Sequence, residues 1–196
     1  MTNRREILQA ALAAAVVLPG YQALAAAPGS MPLYKVLYDP RTPAGLAFAA
    51  SAKRSGAPLH ATRGDVTDVW FNELQPQWRQ HRTATAGLTD FHSLFVLDMM
   101  ARDAGMRAVY IATHRLCGRD RFEHRLFGPH ELVRQNSLVT DGYGWAGSAA
   151  GIVTGFSGEV SVAAQHSSIA EARNIELTAH DLVSWVIASP RRDIQI

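Results

Sequence analysis

From Tyr34 to His114 the chain alternates short apolar segments with longer helical ones, and this order limits its possible folds more than any other feature. "YKVLYD" (Tyr34 to Asp39) is β-prone, and Pro40 and Pro43 punctuate the loop behind it. "AGLAFAASAKRSG" is Ala-rich and helical, with Gly56 placed as its C-terminal cap. "PLHATRG" reads as a second strand, and "DVTDVWFNEL" as a helix that stops before Pro76. "TATAG" is a brief strand. "TDFHSLFVLDMMARDAG" is the clearest helix, with Asp98 and Arg102 one turn apart and Gly105 at its end. "MRAVYIAT" is the clearest strand. Strands alternating with helices imply βαβ units, and nearly continuous apolar strands imply cover on both faces. The expected fold is α/β: a three-layer sandwich with a mainly parallel sheet.

Beyond His114 the pattern loosens. "RFEHRLFGPHELVRQ" reads as helical, interrupted at Gly128-Pro129. Gly142, Gly144, Gly147, Gly151, Gly155 and Gly158 crowd one segment, either a flexible loop or close-packed small-residue structure. "EVSVAAQ" alternates like an edge strand. Thr178 is placed to cap a last helix, "AHDLVSWVIA", with Asp181 three residues on. The expectation is therefore a Gly-rich C-terminal part carrying an edge strand and a last helix. No internal repeat is visible.

The first residues have a different logic. Arg4 and Arg5 form a basic start, Ile7 to Leu18 is an apolar run, Pro19-Gly20 breaks it, and Ala23-Leu24-Ala25 fits an A-x-A cleavage pattern. The run is shorter than the about 20 apolar residues of a membrane span, so no stable membrane anchor is expected. Asn3 to Gln9 resembles a twin-arginine export signal, whose pattern is Ser/Thr-Arg-Arg-x-Phe-Leu-Lys. Arg4, Arg5 and Leu8 match it, Ile7 replaces Phe, and Asn3 and Gln9 depart from it. The resemblance implies a bacterial, periplasmic protein that crosses the membrane already folded, with the translocase as a transient partner. Such passengers often hold a cofactor or travel with a partner that does; the residues do not say which cofactor, if any. The resulting division is a cleavable signal at 1–25, a linker at 26–33 and a single domain at 34–196.

Removing residues 1–25 leaves 171 of the 196 residues, enough for one domain with a real core. The signal takes Arg4, Arg5 and Glu6 from 19 basic and 17 acidic side chains, which leaves 17 and 16. A net charge so near zero excludes the basic field that nucleic-acid binding needs. Cys117 is the only cysteine, so no intramolecular disulfide can form.

In an open α/β sheet, ligands bind beyond the C-terminal ends of the strands. That rule selects Asp39 and Arg41 after the first strand, Arg63 and Asp65 after the second, Gly87 and Thr89 after the third, and His114 after the fourth. Three of these loops lead into helix N-termini, which favour an anion. His114 is the candidate proton donor or acceptor should turnover occur. Each polar residue also has a plain role: Asp65 or Thr67, and Thr89 or Asp90, as helix caps, Asp39 as a turn opener, the arginines as surface charges. His114, Cys117 and His124 are metal-ligand types, but their spacing matches no metal motif, so no metal is expected and a buried structural cysteine is the simpler account.

Recognisable catalytic motifs are missing. There is no G-x-S-x-G nucleophile elbow, Glu123 stands where a C-x5-R phosphatase loop needs Arg, and "GYGWAG" has the dinucleotide glycine spacing without following the first strand. Two functions from different classes remain. One is a periplasmic domain binding a small anionic ligand at the sheet edge, with or without turnover. The other is a non-catalytic accessory subunit, co-exported with a cofactor-bearing oxidoreductase. A concave pocket holding Asp39, Arg63 and His114 would favour the first, and an exposed apolar patch the second.

Overall fold

The computed structural model describes residues 32–117, 121–134, 138, 142–158, 163–171 and 181–190. The signal at 1–25, most of the linker and Thr178 lie outside them. The described chain is a mixed α/β structure. In chain order it contains β1 (Leu33–Tyr38), α1 (Pro43–Arg54), β2 (Leu59–Ala61), α2 (Thr67–Val69), a π-helical segment (Trp70–Leu74) and α3 (Gln75–Gln80). There follow β3 (Ala84–Asp90), α4 (Phe91–Ala101), a 3₁₀ turn (Arg102–Ala104), β4 (Arg107–Cys117), β5 (Arg121–Pro129), α5 (His130–Arg134), α6 (Gly144–Thr154), β6 (Ala163–Glu171) and β7 (Leu182–Ala188).

The seven strands form one sheet in the order β2-β1-β3-β7-β4-β5-β6. Only β1–β2 and β1–β3 pair in parallel; β3–β7, β7–β4, β4–β5 and β5–β6 are antiparallel. The expectation of a mainly parallel sheet is thus corrected. The βαβ rhythm holds through β3, but β7 then enters between β3 and β4 in the opposite direction, and β4 to β6 continue as an antiparallel run.

Two further expectations are overturned. "AHDLVSWVIA" is not a helix: Leu182–Ala188 is a central strand with every residue buried. "RFEHRLFG" is also a strand, in which Phe122, His124 and Leu126 face inward while Glu123, Arg125 and Phe127 face the other way. In the second a two-residue period outweighs helix-compatible composition; in the first, β-branched and aromatic residues suit a strand covered on both faces.

The helix expected to stop before Pro76 continues to Gln80. Trp70–Leu74 winds as a π-turn, in which the Gln75 N–H donates to the Trp70 carbonyl five residues back. The wider turn relaxes the hydrogen-bond register where proline lacks a donor. Trp70, Leu74 and Trp78 therefore do share a buried stripe, the two indoles meeting edge-on at 5.8 Å. The Gly-rich segment is close-packed rather than a loop: α6 lies against α1, and Ser51 Oγ donates to the Gly147 carbonyl at 3.1 Å. β6 is an edge strand, but it runs from Ala163 to Glu171 and shares only Ala163–Gln165 with the expected segment, whose residues 159–162 lie outside the described residues.

Apolar side chains gather in two clusters. One joins α1, α5 and α6 to the sheet through Phe48, Trp145, Ile152, Leu88, Tyr110 and Leu126. The other joins the α2–α3 region and α4 through Trp70, Trp78, Leu94, Leu97, Trp185 and Ile187. β7 supplies both, Leu182 and Val186 to the first and Val183, Trp185 and Ile187 to the second, as strand alternation requires. Among the described residues no helix is long and apolar enough to cross a membrane.

Candidate functional site

The residues selected at the strand ends are only partly brought together. Asp39, buried at the end of β1, binds Arg41 through Nε at 2.9 Å and Nη2 at 2.6 Å, and also accepts the Arg41 backbone N–H. The β2–α2 loop closes onto the same guanidinium: a Cβ on Gly64 would stand 2.3 Å from Arg41 Nη2. The paired carboxylate raises the Arg41 pKa, through the hydrogen bond first and the charge second, with Asp90 adding a smaller effect. Arg63 is exposed, with a left-handed φ of 50°. Asp65 is also exposed and accepts the Thr67 N–H at 2.8 Å, which lowers its pKa.

β3 runs three residues further than "TATAG" implies, and this relocates two of the selected residues. Gly87 lies inside the strand, where a Cβ would meet Trp185 Cζ2 at 2.6 Å and the Leu37 carbonyl at 2.7 Å. It is a packing residue, not a loop residue. Thr89 is buried and accepts the Trp185 indole N–H at 3.1 Å. Asp90, not Thr89, caps α4, accepting the Ser93 N–H at 2.7 Å. His114 lies level with Asp90, since both stand opposite Leu182 on the two flanks of β7. Its side chain, however, is buried among the residues under α6.

There His114 is the centre of a polar chain across three adjacent strands. His114 on β4 and His124 on β5 are register partners, and their Nδ1 atoms are 2.9 Å apart. His114 Nε2 is 2.9 Å from Ser184 Oγ on β7. Trp145 of α6 stacks on the His114 ring with centroids 4.3 Å apart, and Phe122 stacks on His124 at 5.9 Å. Burial drives the His114 pKa well below its ordinary value, helped by the neighbouring His124, and burial lowers His124 to about 4. Both rings are therefore neutral at neutral pH, so one Nδ1 carries the shared hydrogen and the other accepts it. Among the described residues two buried polar atoms bordering this chain have no hydrogen-bond partner, His124 Nε2 and Trp145 Nε1. Burial raises the Tyr110 pKa, and the nearby Ser184 hydroxyl, through its hydrogen bond, works against that shift.

Cys117 does not join the histidines. It lies on the opposite sheet face, with Sγ 4.0 Å from Glu123 Oε2. Among the described residues no group of three or more His, Cys, Asp or Glu side chains is arranged to hold a metal ion.

The third feature is a groove of about 610 Å³ on that opposite face, beside the start of α4 and over β7, β4, β5 and β6. Phe91, Ile111, Val183 and Phe127 give it an apolar lining. Its charged side chains are paired with each other: Arg115 with Asp181 at 3.2 Å, and Arg125 with Glu123 at 2.7 Å. Asp39, Arg63, Thr89 and His114 do not line it. An exposed ridge continues from its rim along α4: Phe91, Phe95 and Met99 are 59, 54 and 49 % exposed, and Phe127 across the groove is 55 % exposed.

Comparisons with protein-family models, with curated proteins and with solved structures give no match. Sequence reasoning missed Ser184, Tyr110, Trp145 and Phe127. The alternation in "RFEHRLFG" was the available signal for Phe127 and for the inward direction of His124. Nothing local marks Ser184, which sits in an otherwise apolar run.

Proposed function

We propose that this chain is an exported, periplasmic, three-layer α/β domain that docks a partner protein, an accessory subunit co-exported with a cofactor-bearing oxidoreductase. One observation carries this reading: a ridge of half-exposed Phe91, Phe95 and Met99 runs beside an apolar groove closed on its far side by Phe127. A folded protein gains little by leaving four large apolar side chains half in water; covering the exposed half of each is worth about 1 kcal/mol. The ridge is about 12 Å long at the helical rise, and helix α4 covers β3, β7 and part of β4 while the face of β5 and β6 beside it lies open.

The occupant that fits is an amphipathic helix of the partner, laid beside α4 to complete the outer helical layer. The pairing of Arg115 with Asp181 and of Arg125 with Glu123 leaves a neutral lining, which suits an apolar helix face better than an anion. At the sheet edge, likewise, the Arg41 guanidinium is already held by Asp39, so the anionic-ligand alternative has less support.

A photo-crosslinking residue installed at Phe95 in the exporting cell tests this, with one at exposed Leu46 as the control position. The expected result is one discrete adduct from position 95, absent at 46, whose crosslinked peptide belongs to a different protein and forms an amphipathic helix. An adduct between two copies of this chain, one with its own residues 1–31, or no adduct overturns the reading.

A further inference from the structure

We infer that Ser184, His114 and His124 form a second, acyl-transfer site, independent of the docking groove and on the other face of the sheet. The geometry is that of an activated nucleophile: a hydroxyl 2.9 Å from an imidazole nitrogen, with the other nitrogen of the same ring held 2.9 Å from a third group. His124 takes the place that a carboxylate more often holds. When His114 Nδ1–H donates to His124 Nδ1, His114 Nε2 has a free lone pair facing the Ser184 hydroxyl. His124 then carries its hydrogen on Nε2, the atom left without a partner. Trp145 Nε1, on the ring that stacks on His114, also lacks a hydrogen-bond partner among the described residues, and Ser184 also interacts with the Tyr110 hydroxyl.

The reaction balances without any co-reactant but water. Ser184 Oγ forms a bond to the acyl carbon of an ester while its proton passes to His114 Nε2. The carbon–alkoxide bond breaks, and the leaving alcohol takes that proton. Water then adds to the acyl-enzyme and gives a proton to His114. The Oγ–acyl bond breaks, the acid leaves, and the proton returns to Ser184. A neutral imidazole stabilises the His114 cation less than a carboxylate does, so the substrate is an activated ester. Tyr110, Phe122 and Trp145 pack in the same core cluster around the pair.

Ser184 and His124 are fully buried and His114 nearly so, beneath Trp145 of α6, so the inferred reaction requires Trp145 to move aside. The serine stands on a straight central strand rather than in a nucleophile elbow, so no motif marks it.

The test uses the mature chain with p-nitrophenyl acetate as substrate and methanesulfonyl fluoride as a small serine-directed reagent. Peptide mapping by mass spectrometry is expected to find the sulfonyl adduct on Ser184. Trp145→Ala should speed its formation by about tenfold, and His114→Ala should slow it by more than a hundredfold, in the range that loss of a general base costs. Ester hydrolysis should disappear with labelling. The mapped adduct on unmutated protein needs no variant to fold. No adduct on Ser184 in either the natural chain or a natively folded Trp145→Ala chain overturns the inference, as does an adduct on any other residue that accounts for the hydrolysis.

Discussion

His114 and His124 meet Nδ1 to Nδ1 at 2.9 Å across the β4–β5 pair, with both rings buried and neutral. A hydrogen bond between two neutral imidazoles lasts only while neither gains a second proton on the shared edge. Acid is therefore the natural probe of this contact.

The pH prediction follows from the sign of the shift. A histidine held neutral in the folded state takes up its proton first in the unfolded chain, where its pKa is about 6.5. Stability is thus complete above about pH 6.5 and is lost as the pH falls towards about 4, where folded His124 protonates. At about 1.4 kcal/mol for each factor of ten, His124 alone accounts for about 3 kcal/mol. Urea denaturation between about pH 7.5 and pH 4.5 should show a falling midpoint, and His124→Phe should flatten that fall. An equal fall in the variant would mean that other groups carry the acid sensitivity.

A second prediction concerns Gly87. A methyl group there lands 2.6 Å from the Trp185 ring and 2.7 Å from the Leu37 carbonyl, and the carbonyl cannot yield. Gly87→Ala should destabilise the protein by about 1–3 kcal/mol through overpacking. Calorimetry would detect this as a lowered Tm; an unchanged Tm would show that β1 and β7 give way more easily than their packing suggests.

Cys117 should prove dispensable. Its half-buried sulfur meets Glu123 Oε2 at 4.0 Å and, among the described residues, joins no metal-ligand group. Cys117→Ser should cost less than about 1.5 kcal/mol and leave the oligomeric state unchanged, as read by denaturation and size-exclusion chromatography. A larger loss would give the thiol a structural role that its contacts do not explain.

Export supplies the fourth prediction, motivated by Arg4 and Arg5. Replacing both with lysine preserves charge but removes the paired guanidinium groups of a twin-arginine signal. The precursor should then remain in the cytoplasm, as followed by cell fractionation. Undiminished periplasmic delivery of the Arg4→Lys, Arg5→Lys chain would exclude this route.

The part of the fold legible in the sequence is the part governed by local signals. α1 is framed by Thr42, which accepts the Gly45 N–H, and by Gly56 with φ of 78°; α4 ends at Gly105 with φ of 70°. Asp98 and Arg102 pair at 2.8 Å as their spacing suggests. What was not legible depends on contacts between distant residues. Only the arrival of β7 beside β3 turns "LVSWVIA" into a strand and reverses the sheet's direction, and no residue near 182 announces that partner. The candidate site suffered from the same gap. A correct strand end at His114 did not say which face the ring takes, and the face determines whether it meets the loop of Arg63 or the rings of His124 and Trp145.

The position of β7 also decides what its loss would expose. It follows β6 in the chain yet joins the β2-β1-β3 half of the sheet to the β4-β5-β6 half. Without Leu182–Ala188 in place, β3 and β4 would each present an unsatisfied strand edge. Such edges recruit other strands. One strand thus keeps both halves of the sheet from pairing with other chains.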